Sequence, residues 1–245
     1  MNETIISWTN LTWNVWSGCK KISPGCGHCY AHTIAENKRG TRAFPNGFDL
    51  TYRWHKLNDP LKIKEPSRIF VNSMSDLFLE DVPDENILKV FDVMNRAHWH
   101  TFQILTKRSE RLSQLRKSWP WSPNIWMGVS IESPKFLYRL DHLREVPALT
   151  RFVSFEPLLE LIESPDLSGI HWAIVGGESG PKFRPMEQSW ARSIRDACVE
   201  QGVAYFYKQS AAFRTETRPW LEEEDGSRWK WAQYPGDLAQ PIQVF

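Results

Sequence analysis

Short, almost continuously apolar runs rich in β-branched and aromatic residues recur along the chain. They are RIFVNS (68–73), TFQILT (101–106), NIWMGVSI (124–131), RFVSF (151–155), HWAIVGG (171–177) and VAYFYK (203–208). Runs without polar alternation belong to strands covered on both faces, which is the habit of parallel sheets. A seventh strand is expected within NLTWNVW (10–16).

Between the runs the period changes. DENILKVFDVMNRAH (84–98) places Ile87, Leu88, Phe91 and Met94 on a helical stripe, and SERLSQLRKS (109–118), SPKFLYRLDHLREV (133–146) and MEQSWARSIRDACVEQG (186–202) read the same way. Ser109 and Ser133 suit helix starts and Gly202 a helix stop. Strand and helix alternate through six or seven βα units, so the expected fold is α/β, a partial parallel barrel of the (βα)6 type. Residues 1–210 are expected to form this one domain. Residues 211–245, with Pro219, Pro235, Gly236 and Pro241, are expected to form an irregular extension packed on it.

Composition supports a packed domain: 41% hydrophobic and 24% charged over 245 residues. The first ten residues, MNETIISWTN, lack a basic and apolar leader pattern, and no run reaches the length of a membrane span. A cytoplasmic location and no membrane partner are therefore expected. The net charge of +1 advertises no polyanion, yet residues 1–70 hold ten basic side chains against five acidic ones. A basic face able to meet nucleic acid is one reading of this asymmetry, and an ordinary solvated surface is the other. Thirteen tryptophans divide in the same way. Trp126 and Trp172 sit in expected core strands, whereas Trp13, Trp16 and Trp54 flank the basic region, where packing and base stacking explain them equally well.

Three of the four cysteines fall in SGCKKISPGCGHCYAH (17–32), spaced C-x6-C-x2-C as Cys19, Cys26 and Cys29. Thiolates so placed on a turn with Pro24, Gly25 and Gly27 converge on a soft metal. Structural zinc normally takes four protein ligands, and His28 or His32 would be the fourth. A four-iron cluster on three cysteines leaves one iron free for a substrate or cofactor. The loop follows the first expected strand and leads into a helix, which is where chemistry sits in a parallel barrel. That position favours the iron-sulfur reading, and zinc stays open beside it. Cys198, in an expected helix, reads as a small buried hydrophobe.

Polar residues also gather at the other strand ends. They are Ser73, Ser75 and Asp76; Lys107 and Arg108; Ser130 and Glu132; Ser154 and Glu156; Gly176, Gly177 and Glu178; and Lys208. Glu156 and Glu178 would also serve as the acid and base of a metal-free barrel hydrolase. That reading leaves the cysteines unexplained.

The ordered set WNVWSGCKKISPGCGHCYA, FVNSMSDLF, FQILTKR, MGVSIES, FVSFEPLL, WAIVGGESG and FYKQ resembles the phage Gp37/Gp68 family, a group with a domain of unknown function. That family is similar in turn to radical S-adenosylmethionine (SAM) enzymes, spore photoproduct lyase among them. The resemblance implies a [4Fe-4S] cluster on Cys19, Cys26 and Cys29, with SAM on the remaining iron. It implies Ser73, Ser75 and Asp76 at the methionine end of SAM, and Ser130, Glu132, Glu156, Gly176, Gly177 and Glu178 around its nucleoside. Lys107, Arg108 and Lys208 would hold an anionic substrate. The expected activity is hydrogen abstraction from a nucleobase or modified nucleotide in phage DNA, as an isomerase, lyase or base-modification enzyme, with flavodoxin or ferredoxin as electron donor. Here the usual C-x3-C-x2-C spacing is stretched between Cys19 and Cys26. A zinc-stapled nucleic-acid-binding module without catalysis is the alternative.

Overall fold

The computed structural model describes residues 1–115, 119–236 and 240–244. Its strands are β1 (Asn2–Glu3), β2 (Leu11–Trp13), β3 (Trp16–Ser17), β4 (Thr51–Tyr52), β5 (Arg68–Val71), β6 (Thr101–Thr106), β7 (Ile125–Ser130), β8 (Arg151–Phe155), β9 (Trp172–Gly176) and β10 (Ala204–Gln209). Its helices are α1 (Tyr30–Asn37), α2 (Asp84–Arg96), α3 (Ser109–Leu115), α4 (Tyr138–Arg144) and α5 (Gln188–Gln201).

The central sheet has eight strands in the order β1-β2-β5-β6-β7-β8-β9-β10. β1 is antiparallel to β2, whereas β2 with β5, β5 with β6, β8 with β9 and β9 with β10 are parallel. From β5 onward each strand lies beside its successor in sequence. This is the mixed α/β fold that the apolar runs predict, and its order is consistent with a partial barrel. The chain divides into two compact units, Met1–Gly128 with Glu145–Leu149, and Val129–Arg144 with Thr150–Phe245.

In the first unit α2 buries Ile87, Val90, Phe91, Val93 and Met94, while Leu88 is exposed. Val90 and Val93 shift the buried stripe away from Leu88, because the core follows the wider apolar arc of the helix. Pro83 precedes α2, with Asp84 and Glu85 in its first turn, where acidic groups complement the helix dipole. Trp13 and Trp16 are fully buried, their indole N–H groups donating to the carbonyls of Lys56 (2.8 Å) and Asp76 (3.4 Å). Packing therefore accounts for both. Trp54 stacks on Tyr52, ring centroids 5.1 Å apart.

In the second unit the segment expected as one helix over 133–146 breaks into a 3-10 turn, Pro134–Phe136, and α4. Gly202 ends α5 in the left-handed conformation, as its position predicts. No helix lies between β8 and β9 among the described residues. The tail carries a three-stranded antiparallel sheet of β11 (Leu221–Glu222), β12 (Arg228–Lys230) and β13 (Ile242–Val244), where the sequence suggests irregular chain. Strands of two or three residues are too short to show a period, and prolines and glycines mask them. The tail hydrogen-bonds along β10: Tyr207 N donates to Trp231 O (3.0 Å) and Gln233 N to Tyr205 O (3.1 Å). Residues 116–118, the last three of the helix expected over 109–118, lie outside the described residues.

Candidate functional site

The cysteine loop leaves the carboxyl end of β2 through β3, which pairs antiparallel with β4. Gly18 sets its direction, with φ +99°, and a Cβ there would lie 2.5 Å from the Asp49 backbone. Only glycine fits on both counts. Gly18 N donates to Met74 O (3.0 Å), and the Ser75 hydroxyl donates to Gly18 O (2.5 Å). The loop is thus anchored to the turn after β5. Asn14 braces the same turn: its Oδ1 accepts from Met74 N (2.8 Å), and its side chain meets Ser73 Oγ at 3.1 Å. Asn72 reaches the turn with φ +56°, its Oδ1 accepting from Val15 N (3.2 Å). Beyond Cys19 a 3-10 turn, Pro24–Cys26, carries the second cysteine, and Cys29 stands at the N-cap of α1. The Tyr30 hydroxyl then returns to Ser73 O (2.6 Å).

Arg108, at the end of β6, holds the start of this loop. Its Nη1 donates to Cys19 Sγ (3.4 Å) and to Asp76 Oδ2 (3.1 Å), its Nη2 to Lys20 O (2.9 Å), and its Nε to Glu80 (2.8 Å). The Arg108 side chain is 3% exposed and that of Asp76 8%. Asp76 also accepts from Thr106 Oγ1 (2.7 Å), Lys107 N (3.2 Å) and Phe78 N (2.9 Å). Arg108 is therefore a buried brace and not an exposed anchor for substrate, because its donors are spent on the protein itself. Burial, with the charge of Asp76 adding to it, pushes the Cys19 thiol up to about 12, although Arg108 works against both. Burial is the largest influence on the Glu80 carboxyl and would raise it, but its hydrogen bonds to Arg108 and to its own backbone, together with the charges of Arg108 and Arg111, hold it below the ordinary value. Lys107 is half-buried, and its side chain has no ion-pair partner among the described residues.

All three loop thiols are half-buried. Among the described residues no group of three or more His, Cys, Asp or Glu is gathered tightly enough to hold one metal ion. A single zinc at about 2.3 Å from each sulfur would need thiolates within about 4 Å of one another. A four-iron cluster asks less, since each thiolate takes a different iron. Three soft thiols on one pinned loop are a donor set that fits a thiolate-bound metal group. His28 and His32 are exposed, and His32 sits edge-on to Phe48, centroids 5.4 Å apart.

The second unit has strand-end polar groups of its own. Glu132 is fully buried against Arg139 Nη1 (2.9 Å), which also donates to Ser130 O (2.7 Å), and the guanidinium lies 4.2 Å from the Phe136 ring centre. Glu132 is therefore a buried ion-pair partner, enclosed away from any ligand. Glu156 pairs with Lys208 (2.7 Å) and accepts from Ser154 Oγ (2.9 Å). Glu178 is held by Arg184 through its Nη2 (2.5 Å), Nε (3.2 Å) and backbone N (2.9 Å). The glycines also have an internal cause. A Cβ on Gly176 would lie 2.6 Å from Glu156 Oε1, and one on Gly177 2.3 Å from Ala211 N. They make room for the protein's own chain where the family resemblance implies a cofactor. Glu156 and Glu178, each taken by a different cation, do not form the free acid and base that a barrel hydrolase needs.

Sequence reasoning missed Asn14, Gly18, Tyr30, Glu80, Arg139 and Arg184, which position the groups it named. Gly18, next to Cys19, carried the one readable signal, since a glycine between a strand and a metal-binding loop marks a forced turn.

A family model described as a protein of unknown function (DUF5131) matches residues 3–235. The chain belongs to this DUF5131 family; the match does not carry the phage designation that the motifs suggest. No curated protein matches the chain. Among solved structures it is similar to spore photoproduct lyase complexed with dinucleoside spore photoproduct, at TM-score 0.46 and 13% identity over 94% of this chain and 67% of that one. It is similar also to a double mutant of that lyase with bound AdoMet and the dinucleoside, at 0.44 and 14% over 96% and 68%. A single mutant with the dinucleoside gives 0.47 and 14% over 94% and 67%. No described helix is long and apolar enough to cross a membrane.

Proposed function

We propose that this chain is a radical SAM enzyme that holds a [4Fe-4S] cluster on Cys19, Cys26 and Cys29. The observation that carries the reading is the first unit's loop. Three cysteines stand on a loop just past the carboxyl end of a parallel strand, and the ends of the next two strands clamp the start of that loop, at Gly18 and Cys19, through Ser75, Asp76 and Arg108. When bound, such a cluster would pass one electron to SAM and so supply radical chemistry able to take hydrogen from a substrate.

The residues around it bind, orient and exclude water. Arg108 fixes Cys19 and the Lys20 carbonyl, and its charge beside the sulfur favours the thiolate over the thiol. Ser73, Ser75 and Asp76 form the turn we assign to the amino-acid end of SAM, and Lys107 is assigned to an anionic substrate. In the second unit Glu156 and Lys208 are spent on each other, and Ser130 is the strand-end group left as a proposed nucleoside contact. Arg108, Glu132, Gly176 and Gly177 are reassigned to support, and Glu178 serves to hold Arg184. The proposed substrate is a nucleobase, reached in a single strand or flipped from a duplex, and the proposed reaction is of the isomerase or lyase type. An external one-electron donor of the flavodoxin or ferredoxin class would feed the cluster.

The test is anaerobic reconstitution with iron and sulfide, followed by metal analysis, electron paramagnetic resonance with and without SAM, and detection of 5'-deoxyadenosine under reduction. About four irons per chain, with a reduced signal altered by SAM, is expected, and replacing any of the three cysteines by alanine should abolish it. Stoichiometric zinc and a silent spectrum would overturn the proposal and leave the zinc-stapled binding module standing.

A further inference from the structure

Within the second unit, the loop after β9 and the segment after β10 are fastened side by side. Ser179 and Ala212 form a parallel bridge. Ala212 N donates to Glu178 O (3.0 Å), Gly180 N to Ala212 O (3.1 Å), and Thr215 Oγ1 to Ser179 Oγ (3.4 Å). Glu216 closes the second segment on itself, accepting from the Ser210 backbone N (2.8 Å) and hydroxyl (2.7 Å). The close pass of Ala211 over Gly177 completes the lock.

What these braced segments turn outward is apolar and positive. Phe183 is 38% exposed and Phe213 60%. A ring left in water forgoes the gain of burial, and here two are left so on segments that backbone hydrogen bonds already hold together. Lys182, Arg214 and Arg218 are exposed beside them in sequence, and among the described residues none has an acidic partner. The nearby acids are engaged elsewhere, Glu178 by Arg184 and Glu216 by Ser210. Flat apolar faces next to unpaired cations are what a single strand of nucleic acid requires, bases on the rings and phosphates on the cations.

We propose that Phe183 and Phe213, with Lys182, Arg214 and Arg218, form a binding surface for single-stranded nucleic acid. The surface does not depend on the cluster, so the test uses metal-free full-length protein and a fluorescently labelled single-stranded oligodeoxynucleotide. Affinity is read by anisotropy across a salt series. Wild type should bind, and weaken as salt rises. Replacing Lys182, Arg214 and Arg218 together by alanine should flatten the slope of log K against log salt by about 2. Phe183→Ala and Phe213→Ala should each weaken binding at least about fivefold while leaving the slope unchanged. All five side chains are exposed, and unchanged circular dichroism will confirm that the variants fold. Absence of binding at low salt, variants that bind like wild type, or tighter binding of the matching duplex would each overturn the proposal, whatever the cluster analysis returns.

Discussion

Replacing Arg108 by methionine tests the brace at the cysteine loop. Methionine keeps most of the volume and removes the charge. The Arg108 and Asp76 side chains are 3% and 8% exposed and meet at 3.1 Å, so removing one charge strands the other in the interior. Asp76 would keep its hydrogen bonds from Thr106, Lys107 and Phe78 but lose the one counter-charge it has among the described residues. Breaking a buried pair from one side costs about 3–5 kcal/mol. At about 2–4 °C per kcal/mol for a chain of this length, the melting temperature should fall by roughly 6–20 °C. The Glu80 contact adds little to this, because its carboxylate is 55% exposed, and Glu80→Gln should cost less than about 1 kcal/mol. The control is the double variant Arg108→Met with Asp76→Asn, which removes the stranded charge and should recover much of the loss. Calorimetry and urea unfolding of the metal-free protein measure the stability, and iron per chain after reconstitution measures the loop. A single variant melting within about 2 °C of wild type, or a double variant no more stable than the single, would refute the reasoning.

Three further outcomes follow from the same loop. Cys19 should react slowly with iodoacetamide in the native metal-free protein. With its pKa pushed from 9.0 to about 12, its thiolate fraction at pH 8 is roughly a thousandfold below that of the unfolded chain, and peptide mass spectrometry with and without denaturant will show whether the rates differ. Because the folded value lies above the unfolded one, this group's stabilising contribution is complete below pH 9 and lost as pH rises from 9 to about 12. Gly18→Ala should destabilise the protein by more than the roughly 1–2 kcal/mol that a left-handed alanine costs alone, because its Cβ also meets the Asp49 backbone at 2.5 Å; an unchanged urea midpoint would show that this turn is not fixed as described.

The strands were legible because a strand covered on both faces needs only a continuous apolar run, and that property survives in one dimension. Helix ends were legible where one residue does the work, as Gly202 does for α5. Leu88 was misplaced for want of knowledge that Val90 and Val93 would pull the buried arc around. The tail sheet escaped because short strands leave no period. At the site the cysteines could be read from spacing and thiol chemistry, but the charged strand ends could not be sorted. A sequence shows that Arg108, Glu132 and Lys107 all stand near strand ends. It does not show that Asp76 and Glu80 use up Arg108, that Arg139 walls in Glu132, or that Lys107 is left without an ion-pair partner among the described residues. Those pairings span from seven to thirty-two positions of chain, and folding alone decides which charge meets which. The glycines make the same point from the other side. The resemblance sets Gly176 and Gly177 around a nucleoside, yet the space beside them already belongs to Glu156 and Ala211. Strand-end chemistry of this kind becomes a claim about function only after the charges that the fold spends on itself have been removed, and what remains in the first unit is three thiols on a pinned loop beside a half-buried lysine.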